Sequence, residues 1–212
     1  MDLYFSPLAC SLATRIALYE ADADAAYVQV DTKSKQVADG SDFLAINPLS
    51  QVPVLRTDDG WLLTENTAIL PYVADRYPDA QLAPAPGTAA RAKMQQWLGF
   101  VSTELHKAVF VPLLDRHAPD DVKRYARDKI GARMDVLQRH LAVHTFLVEE
   151  FSVADAYLVT VLNWASHSGV DLAQWPEVER YYRRLVERPT VARALAEELA
   201  LFREELARRK QA

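Results

Sequence analysis

The pattern of apolar residues changes once along the chain, and this change constrains the fold more than any other feature of the sequence. Before residue 77, short apolar runs alternate with stretches of helical spacing and predict the order β-α-β-(α)-β-β-α. After residue 88, the apolar stretches repeat at helical spacing. Between them, Pro78, Pro84 and Pro86 lie close together, which is typical of a linker. The sequence therefore predicts a small α/β domain followed by an all-helical domain.

The boundaries of the two domains follow from this change of pattern. We expect an α/β domain over residues 1–78, a linker over 79–88 and an all-helical domain over 89–212. A chain of 212 residues is long enough to bury a substantial apolar core. Residues 152–164 are nearly all apolar, and we expect the helix that they form to be buried on every side.

The composition excludes several classes of site. The single cysteine excludes an intramolecular disulfide and every cysteine-based zinc site. The six glycines are too widely spaced for the glycine-rich loops that bind nucleotides. The longest stretch without a charge, 156–170, is too short and too polar to span a membrane. The start of the chain lacks the pattern of a signal peptide, so we expect a cytoplasmic protein. From the excluded motifs and the short uncharged stretch we expect neither a metal site nor contact with a membrane.

The distribution of charge argues against a nucleic-acid partner. The chain carries 24 basic and 29 acidic side chains, a formal net charge of −5. The excess of acid lies in the first 80 residues, and the remainder is close to neutral. Neither half has the strong basic surplus that binding to nucleic acid usually requires. We therefore expect small-molecule chemistry rather than binding to DNA or RNA.

Cys10 is the first candidate for chemistry, because it lies where a predicted strand is followed by a predicted helix. A thiol at such a junction faces the positive end of the helix and its unpaired backbone N–H groups, and both favour the thiolate. The alternative is a buried structural cysteine, which is the commonest fate of this residue type. The position favours a functional thiol, and the sequence alone leaves both interpretations open.

Two further motifs are candidates for contacts with a ligand. Val52-Pro53 opens a predicted strand, where a cis peptide would turn the backbone of Val52 outward, although a simple edge-strand proline is the more common case. Asn66 is the predicted N-cap of the next helix, with Glu65 just outside it. Glu65 could bind an ammonium group while the helix N–H groups bind a carboxylate. The alternative is plain capping beside a solvated Glu65.

The polar motifs of the helical half are interpreted as structure. Ser152 and Asp155 have the spacing of a capping box at the start of the buried helix. His140 and His144 are four residues apart but lack the glutamate of a zinc-protease motif, so we expect an ordinary helix face. His106, taken alone, is a histidine on a helix surface.

These motifs occur in an order that resembles the cytosolic glutathione transferases, most closely the bacterial beta class. The resemblance extends from the first strand to about Pro189, and its strength lies in the combination, since each motif alone is weak. The motifs that carry it are Ala9-Cys10-Ser11-Leu12, Asn47-Pro48, Gln51-Val52-Pro53-Val54-Leu55, Leu63-Thr64-Glu65, Leu82-Ala83-Pro84, Trp97-Leu98, Glu104-Leu105-His106-Lys107 and Phe151-Ser152-Val153-Ala154-Asp155-Ala156-Tyr157.

The resemblance implies a thioredoxin-like first domain that binds glutathione as co-substrate and needs no cofactor. It implies a cis peptide before Pro53, with the backbone of Val52 pairing with the cysteinyl part of the tripeptide. Glu65 and Asn66 would hold the γ-glutamyl end, and Lys35 would reach the glycyl carboxylate. The resemblance further implies a homodimer.

The same resemblance assigns the catalytic residues. Cys10 would lie beside the glutathione sulfur, with His106 nearby on the helical domain. A hydrophobic electrophile would bind between the domains. The candidate residues for this electrophile pocket are Phe5, Val109, Leu113 and Trp164.

The implied function is detoxification by transfer of the glutathione thiolate to soft hydrophobic electrophiles. Cys10 could add glutathione-dependent thiol–disulfide or peroxidase chemistry. The alternative is a non-catalytic module that binds an apolar ligand or a protein on the same scaffold. Departures from the family's pattern at Phe5, Gly99 and Pro71 keep this alternative open.

Overall fold

The computed structural model describes residues 1–211 of the chain. By their contacts the residues separate into two compact units, one of residues 1–80 with the C-terminal stretch from Arg188, the other of residues 81–187. Among the described helices, none combines the length and the apolar character that crossing a bilayer demands.

The first unit contains a five-stranded mixed sheet in the order β3-β2-β1-β4-β5. β1 and β2 are parallel, and every other neighbouring pair is antiparallel. The parallel pair is connected by a helix, as the alternating pattern of the first 80 residues predicted, and the thioredoxin-like arrangement is confirmed. The strands are β1 (Asp2–Phe5), β2 (Ala26–Asp31), β3 (Gln36–Val37), β4 (Val54–Arg56) and β5 (Leu62–Thr64).

The sheet forms where apolar residues alternate with turn residues. The turn between β4 and β5 contains Gly60 at a φ of +82°, a conformation that glycine adopts without a steric penalty. One face of the sheet packs into a cluster of buried apolar side chains, which holds the neighbouring strands in register. The residues of this cluster are Tyr4, Val30, Val37, Phe43 and Val54.

The remainder of the described chain is mostly helical. Short 3-10 turns occur at Phe43–Ala45, Pro78–Ala80 and Leu172–Gln174. The α-helices are α1 (Leu12–Glu20), α2 (Asn66–Arg76), α3 (Ala89–Phe100), α4 (Val111–Leu114), α5 (Asp120–Leu141), α6 (Val153–Leu162), α7 (Ala165–Ser168), α8 (Pro176–Val186) and α9 (Pro189–Gln211).

A π-helix over Val101–Phe110 joins α3 to α4, and the sequence pattern did not predict it. Its last turn is closed by a bond from the N–H of Val111 to the carbonyl of His106, five residues back. Pro112, which follows, has no N–H to return to the preceding turn. π-Helical turns are rare in proteins, and those that occur are frequently found at functional sites.

α6 is buried along its whole length, as the apolar run predicted. The capping box at its start is also confirmed. The N–H of Ser152 donates to the Asp155 carboxylate, and the Ser152 hydroxyl accepts from the backbone of the first turn. The Ser152 hydroxyl also donates to the Asp155 carboxylate. Asp155 additionally accepts bonds from the N–H of Leu147 and the hydroxyl of Tyr181, at 2.9 and 2.7 Å.

The C-terminal helix α9 belongs to the first unit, because its acidic side chains bind α1. Arg15 donates to Glu198 at 2.8 Å, and both side chains are almost fully buried. Arg188, just before α9, forms a two-pronged ion pair with Glu20 at 2.5 and 2.7 Å. The sequence-based boundaries at 78 and 89 stay a prediction, whereas these contacts group the chain end with the sheet.

Candidate active site

Two of the sequence motifs, 42 residues apart in the chain, meet at Cys10. The thiol of Cys10 is half-buried, and its Sγ lies 3.1 Å from the backbone carbonyl oxygen of Val52. The peptide between Val52 and Pro53 is cis, as the resemblance implied. The first unit therefore brings together the candidate thiol and the candidate backbone contact.

The backbone around Cys10 differs in one respect from the expectation. The N–H groups of Leu12 and Ala13, in the first turn of α1, already donate to the carbonyls of Ala9 and Cys10. The prediction that the thiol faces unpaired amides is therefore wrong for these two groups. The positive end of the α1 dipole still lies at this junction, and it favours a negative charge there.

The side chain of Asn66 holds the strand-to-helix junction at Cys10 in place through two hydrogen bonds. Its Nδ2 donates to the Cys10 carbonyl at 2.8 Å, and its Oδ1 accepts from the Thr14 hydroxyl at 3.0 Å. Asn66 and Thr14 are buried, so each bond satisfies a polar group that water cannot reach. The prediction of Asn66 as N-cap is wrong, because Asn66 is the first residue of α2 and its carboxamide points to α1 instead.

Glu65 takes the N-cap position of α2. Its side chain is exposed and makes no capping hydrogen bond. Its φ is +67°, a conformation that is uncommon for any residue but glycine and costs on the order of 1 kcal/mol or more. Such residues cluster at binding sites, and here the backbone holds a free carboxylate at the positive end of a helix.

Lys35 lies on a different turn of the first unit, between β2 and β3. The side chain is exposed, and the residue has a φ of +60°. Its carbonyl accepts a hydrogen bond from the N–H of Phe43 at 2.9 Å, which fixes the turn. An ammonium group on this turn is available to an anion.

Phe5 is a core residue of the first unit. It is 2% exposed and stacks beneath the guanidinium of Arg15, whose central carbon is 4.3 Å from the ring centroid. It also borders a cavity of about 390 Å³, with Tyr27 and Leu201 among the other lining residues. Its assignment to an electrophile pocket stays a prediction.

In the second unit, His106 lies on the π-helix and is buried. Its Nδ1 is 2.7 Å from the hydroxyl of Tyr157 on α6, and its ring packs edge-on against Trp164, with centroids 5.0 Å apart. Burial, reinforced by the nearby Lys107, lowers the pKa of His106 to about 4. The imidazole is therefore neutral at physiological pH, and it is not the surface histidine that the sequence indicated.

Of the other candidates of the second unit, Trp164 contacts His106, and its ring also packs against that of Phe110, which sequence reasoning did not single out. Phe110 and Trp164 have ring centroids 6.1 Å apart. Val109 is fully buried, and Leu113 is half-buried in α4. Sequence reasoning missed Tyr157 as the partner of His106, although a tyrosine within a mostly apolar, buried helix is a signal that its hydroxyl has a partner.

No cluster of three or more histidine, cysteine or carboxylate side chains in the described part of the chain could hold a metal ion. His140 and His144 stack on each other, with ring centroids 4.4 Å apart. The candidate residues themselves supply a thiol at Cys10, a carboxylate at Glu65, an ammonium group at Lys35 and a neutral imidazole at His106.

Comparison with known proteins covers both units. The family model of the glutathione S-transferase N-terminal domain matches residues 2–75, and that of the C-terminal domain matches residues 101–189. The glutathione S-transferase GstA of Escherichia coli O157:H7 is 39% identical over 199 residues, which covers 93% of this chain and 98% of that relative. The chain belongs to the glutathione S-transferase family. A second relative, GST-4.5 of Xanthomonas campestris, is 35% identical over 207 residues with the same coverage of both chains.

Solved structures of bacterial glutathione transferases have the same fold as this transferase. A ternary complex of BphK, a bacterial enzyme of the family, superposes with a TM-score of 0.91 at 44% identity and covers 93% of this chain and 99% of its own. The beta-class enzyme of Sphingomonas chungbukensis gives 0.89 at 43% identity, with 93% and 98% covered. The glutathione transferase predicted from the motif order is confirmed, and the non-catalytic alternative is not favoured.

Proposed function

We propose that this transferase binds glutathione against the face of the first unit that contains Cys10, Val52 and Glu65. The observation that carries the proposal is the 3.1 Å approach of the Cys10 Sγ to the Val52 carbonyl, since it puts a thiol beside an edge of backbone. A sphingomonad relative, 41% identical with a TM-score of 0.89, has been solved in complex with glutathione, which supports the same ligand here.

Each end of the tripeptide has a matching group. The Glu65 carboxylate binds the γ-glutamyl ammonium, while the first N–H groups of α2, from Asn66 onward, bind the γ-glutamyl carboxylate. The backbone of Val52 pairs with the cysteinyl unit, next to Pro53. Lys35 pairs with the glycyl carboxylate across its exposed turn.

The reaction is nucleophilic transfer of the glutathione sulfur. The glutathione thiol loses its proton to solvent, and the thiolate attacks an electrophilic carbon. With an aryl chloride, a carbon–sulfur bond forms, the carbon–chlorine bond breaks and chloride leaves. The positive end of α1 stabilises the thiolate beside Cys10.

Cys10 adds a second activity, thiol–disulfide exchange with glutathione. The Cys10 thiolate attacks one sulfur of glutathione disulfide, the sulfur–sulfur bond breaks and glutathione leaves as its thiolate. Turnover needs a different disulfide, one between glutathione and another thiol: the Cys10 thiolate attacks its glutathionyl sulfur and the other thiol leaves as its thiolate. A glutathione thiolate then attacks the glutathionyl sulfur on Cys10, which releases the Cys10 thiolate and forms glutathione disulfide. The N-terminal end of a helix favours a cysteine in this role.

The second unit supplies the surface for the electrophile. Leu113, which is half-buried, and Trp164 are the candidates for contact with a hydrophobic molecule, Val109 is fully buried behind the surface, and Phe5 stays the candidate from the first unit. We assign a polarising role to His106, whose neutral imidazole can hydrogen-bond without adding a charge. Such an apolar surface discriminates poorly between hydrophobic electrophiles, which suits detoxification.

The expected assembly is a cytoplasmic homodimer that uses no cofactor beyond glutathione as co-substrate. Closed two-fold dimers are the commonest form of soluble oligomers. Leu49 and Trp61, which are 72% and 63% exposed, are apolar side chains that a partner surface would cover.

The substitution Glu65→Gln tests the glutathione site in a conjugation assay with 1-chloro-2,4-dinitrobenzene. We expect the KM for glutathione to rise by about tenfold to a hundredfold, since a charge-assisted contact of ~1.5–3 kcal/mol is lost. The matched control is Asp59→Asn, an exposed carboxylate in the turn before β5. An unchanged KM in Glu65→Gln would remove Glu65 from the site.

A further inference from the structure

A larger cavity, of about 640 Å³, lies within the second unit. It shares no lining residue with the glutathione face or with the cluster around His106. Its volume is within the range of ~300–1,000 Å³ that is typical of small-molecule sites. Its apolar floor and walls include Ala83, Pro84, Leu147, Val148 and Phe151.

One wall of this cavity is a row of three aromatic rings, in which Trp97 is tilted by 55° relative to His140 and His140 stacks on His144. The centroids of Trp97 and His140 are 4.7 Å apart, and those of His140 and His144 are 4.4 Å apart. The Nε2 of His140 is 3.1 Å from the Phe146 carbonyl, which fixes the orientation of the middle ring. The faces of His140 and His144 that stack on each other are closed to a ligand, and the wall offers a flat aromatic ligand the remaining ring surface of Trp97 and the two histidines.

The charges that border the cavity are mainly negative. Glu149 and Glu150 are adjacent, exposed and both part of the lining. Lys93 also lines the cavity, where its ammonium donates to the neutral Gln96 side chain at 3.1 Å and keeps its charge, so one positive charge offsets one of the two carboxylates. Burial lowers the pKa of His140, so its ring adds no positive charge at neutral pH. The polar rim thus favours a cation over an anion.

We propose that this cavity binds a planar aromatic cation, with its rings against Trp97 and His140 and its charge near Glu149 and Glu150. Aromatic faces attract a cation through their quadrupole, and the carboxylates add Coulomb attraction. A neutral aromatic would gain only the stacking, and an aromatic anion would meet the repulsion of both carboxylates. This site is separate from glutathione chemistry, and the proposal does not depend on the roles given to Cys10 or Glu65.

Titration calorimetry on the full chain tests the proposal with two flat three-ring molecules of opposite charge. Proflavine is the cation and anthracene-9-carboxylate is the anion. We expect one proflavine per chain, bound at least tenfold more tightly than the anion. Equal affinities for the two, or no binding of proflavine, would overturn the proposal.

Substitutions locate the binding. In the double variant Glu149→Gln with Glu150→Gln, proflavine affinity should fall about fivefold, because two partly screened charge contacts are lost. The control variant, Asp128→Asn with Glu187→Gln, removes two exposed carboxylates elsewhere in the same unit. It should change the affinity for proflavine less than twofold. Trp97→Leu should reduce affinity by tenfold or more.

The variant Glu149→Gln with Glu150→Gln changes only exposed side chains, so we expect it to fold normally. Its aryl chloride conjugation rate should stay within twofold of that of the unchanged protein, which would show that the chain is intact and that only the cation site is altered. If the Glu149 and Glu150 variant binds proflavine as the unchanged protein does, the cavity is not the site and the proposal fails.

Discussion

Asn66 connects the motif at Glu65-Asn66 to the motif at Cys10, which are far apart along the chain. Its carboxamide bonds the Cys10 carbonyl and the Thr14 hydroxyl, so it couples the start of α2 to the start of α1. A local pattern cannot predict this, because the partners are 56 and 52 residues away. A buried asparagine needs hydrogen-bond partners, so its residue type indicates that partners exist. It does not indicate which residues they are.

We expect Asn66→Ala to lower the free energy of unfolding by about 2 kcal/mol, because the buried Thr14 hydroxyl loses its acceptor and the Cys10 carbonyl loses one donor. Urea denaturation measures the change. The control is Thr67→Ala at the next, exposed position, where the effect should stay below about 0.5 kcal/mol. Equal effects at the two positions would mean that the bonds of Asn66 contribute little.

Among the elements, α6 and its capping box were predictable and the π-helix was not. The run from Ser152 to Trp164 combines an apolar composition with a capping motif, and both signals are local. The π-helix over Val101–Phe110 depends on bonds to the fifth preceding residue, and the apolar spacing does not distinguish these from α-helical bonds. His106 consequently looked like a surface residue, although it is buried against Tyr157.

Asp155 fixes the start of α6, and its removal tests how much the capping box and its neighbouring bonds stabilise the chain. Asp155→Ala should destabilise the chain by about 3 kcal/mol or more, because four donors lose their acceptor in a buried position. These donors are the N–H groups of Leu147 and Ser152 and the hydroxyls of Ser152 and Tyr181. Asp128→Ala, on the exposed surface of α5, is the control for denaturation experiments. A loss below 1 kcal/mol would contradict this role of Asp155.

For the whole molecule, the composition and the change of pattern predicted the α/β and helical halves, but not the grouping of α9 with the sheet. That grouping depends on ion pairs between residues far apart in sequence, such as Arg15 with Glu198. The cis Val52–Pro53 peptide followed from the resemblance, since the residues alone favoured an ordinary edge proline.

We also predict that the chain forms a homodimer. Light scattering at micromolar concentration should give the mass of a dimer of the 23.9 kDa chain. The exposed apolar side chains of Leu49 and Trp61 give a reason for association, because contact with a partner removes them from water. A monomer mass at that concentration would contradict the homodimer.

The proposed chemistry depends most on Cys10 as a reactive thiol beside the glutathione sulfur. Mass spectrometry of the native chain after incubation with glutathione disulfide tests it directly, because Cys10 is the single cysteine. We predict one glutathionyl group per chain, removed by dithiothreitol and absent from Cys10→Ala. No adduct on the folded chain, with an adduct forming only after denaturation, would show that Cys10 is inert and would contradict its proposed role.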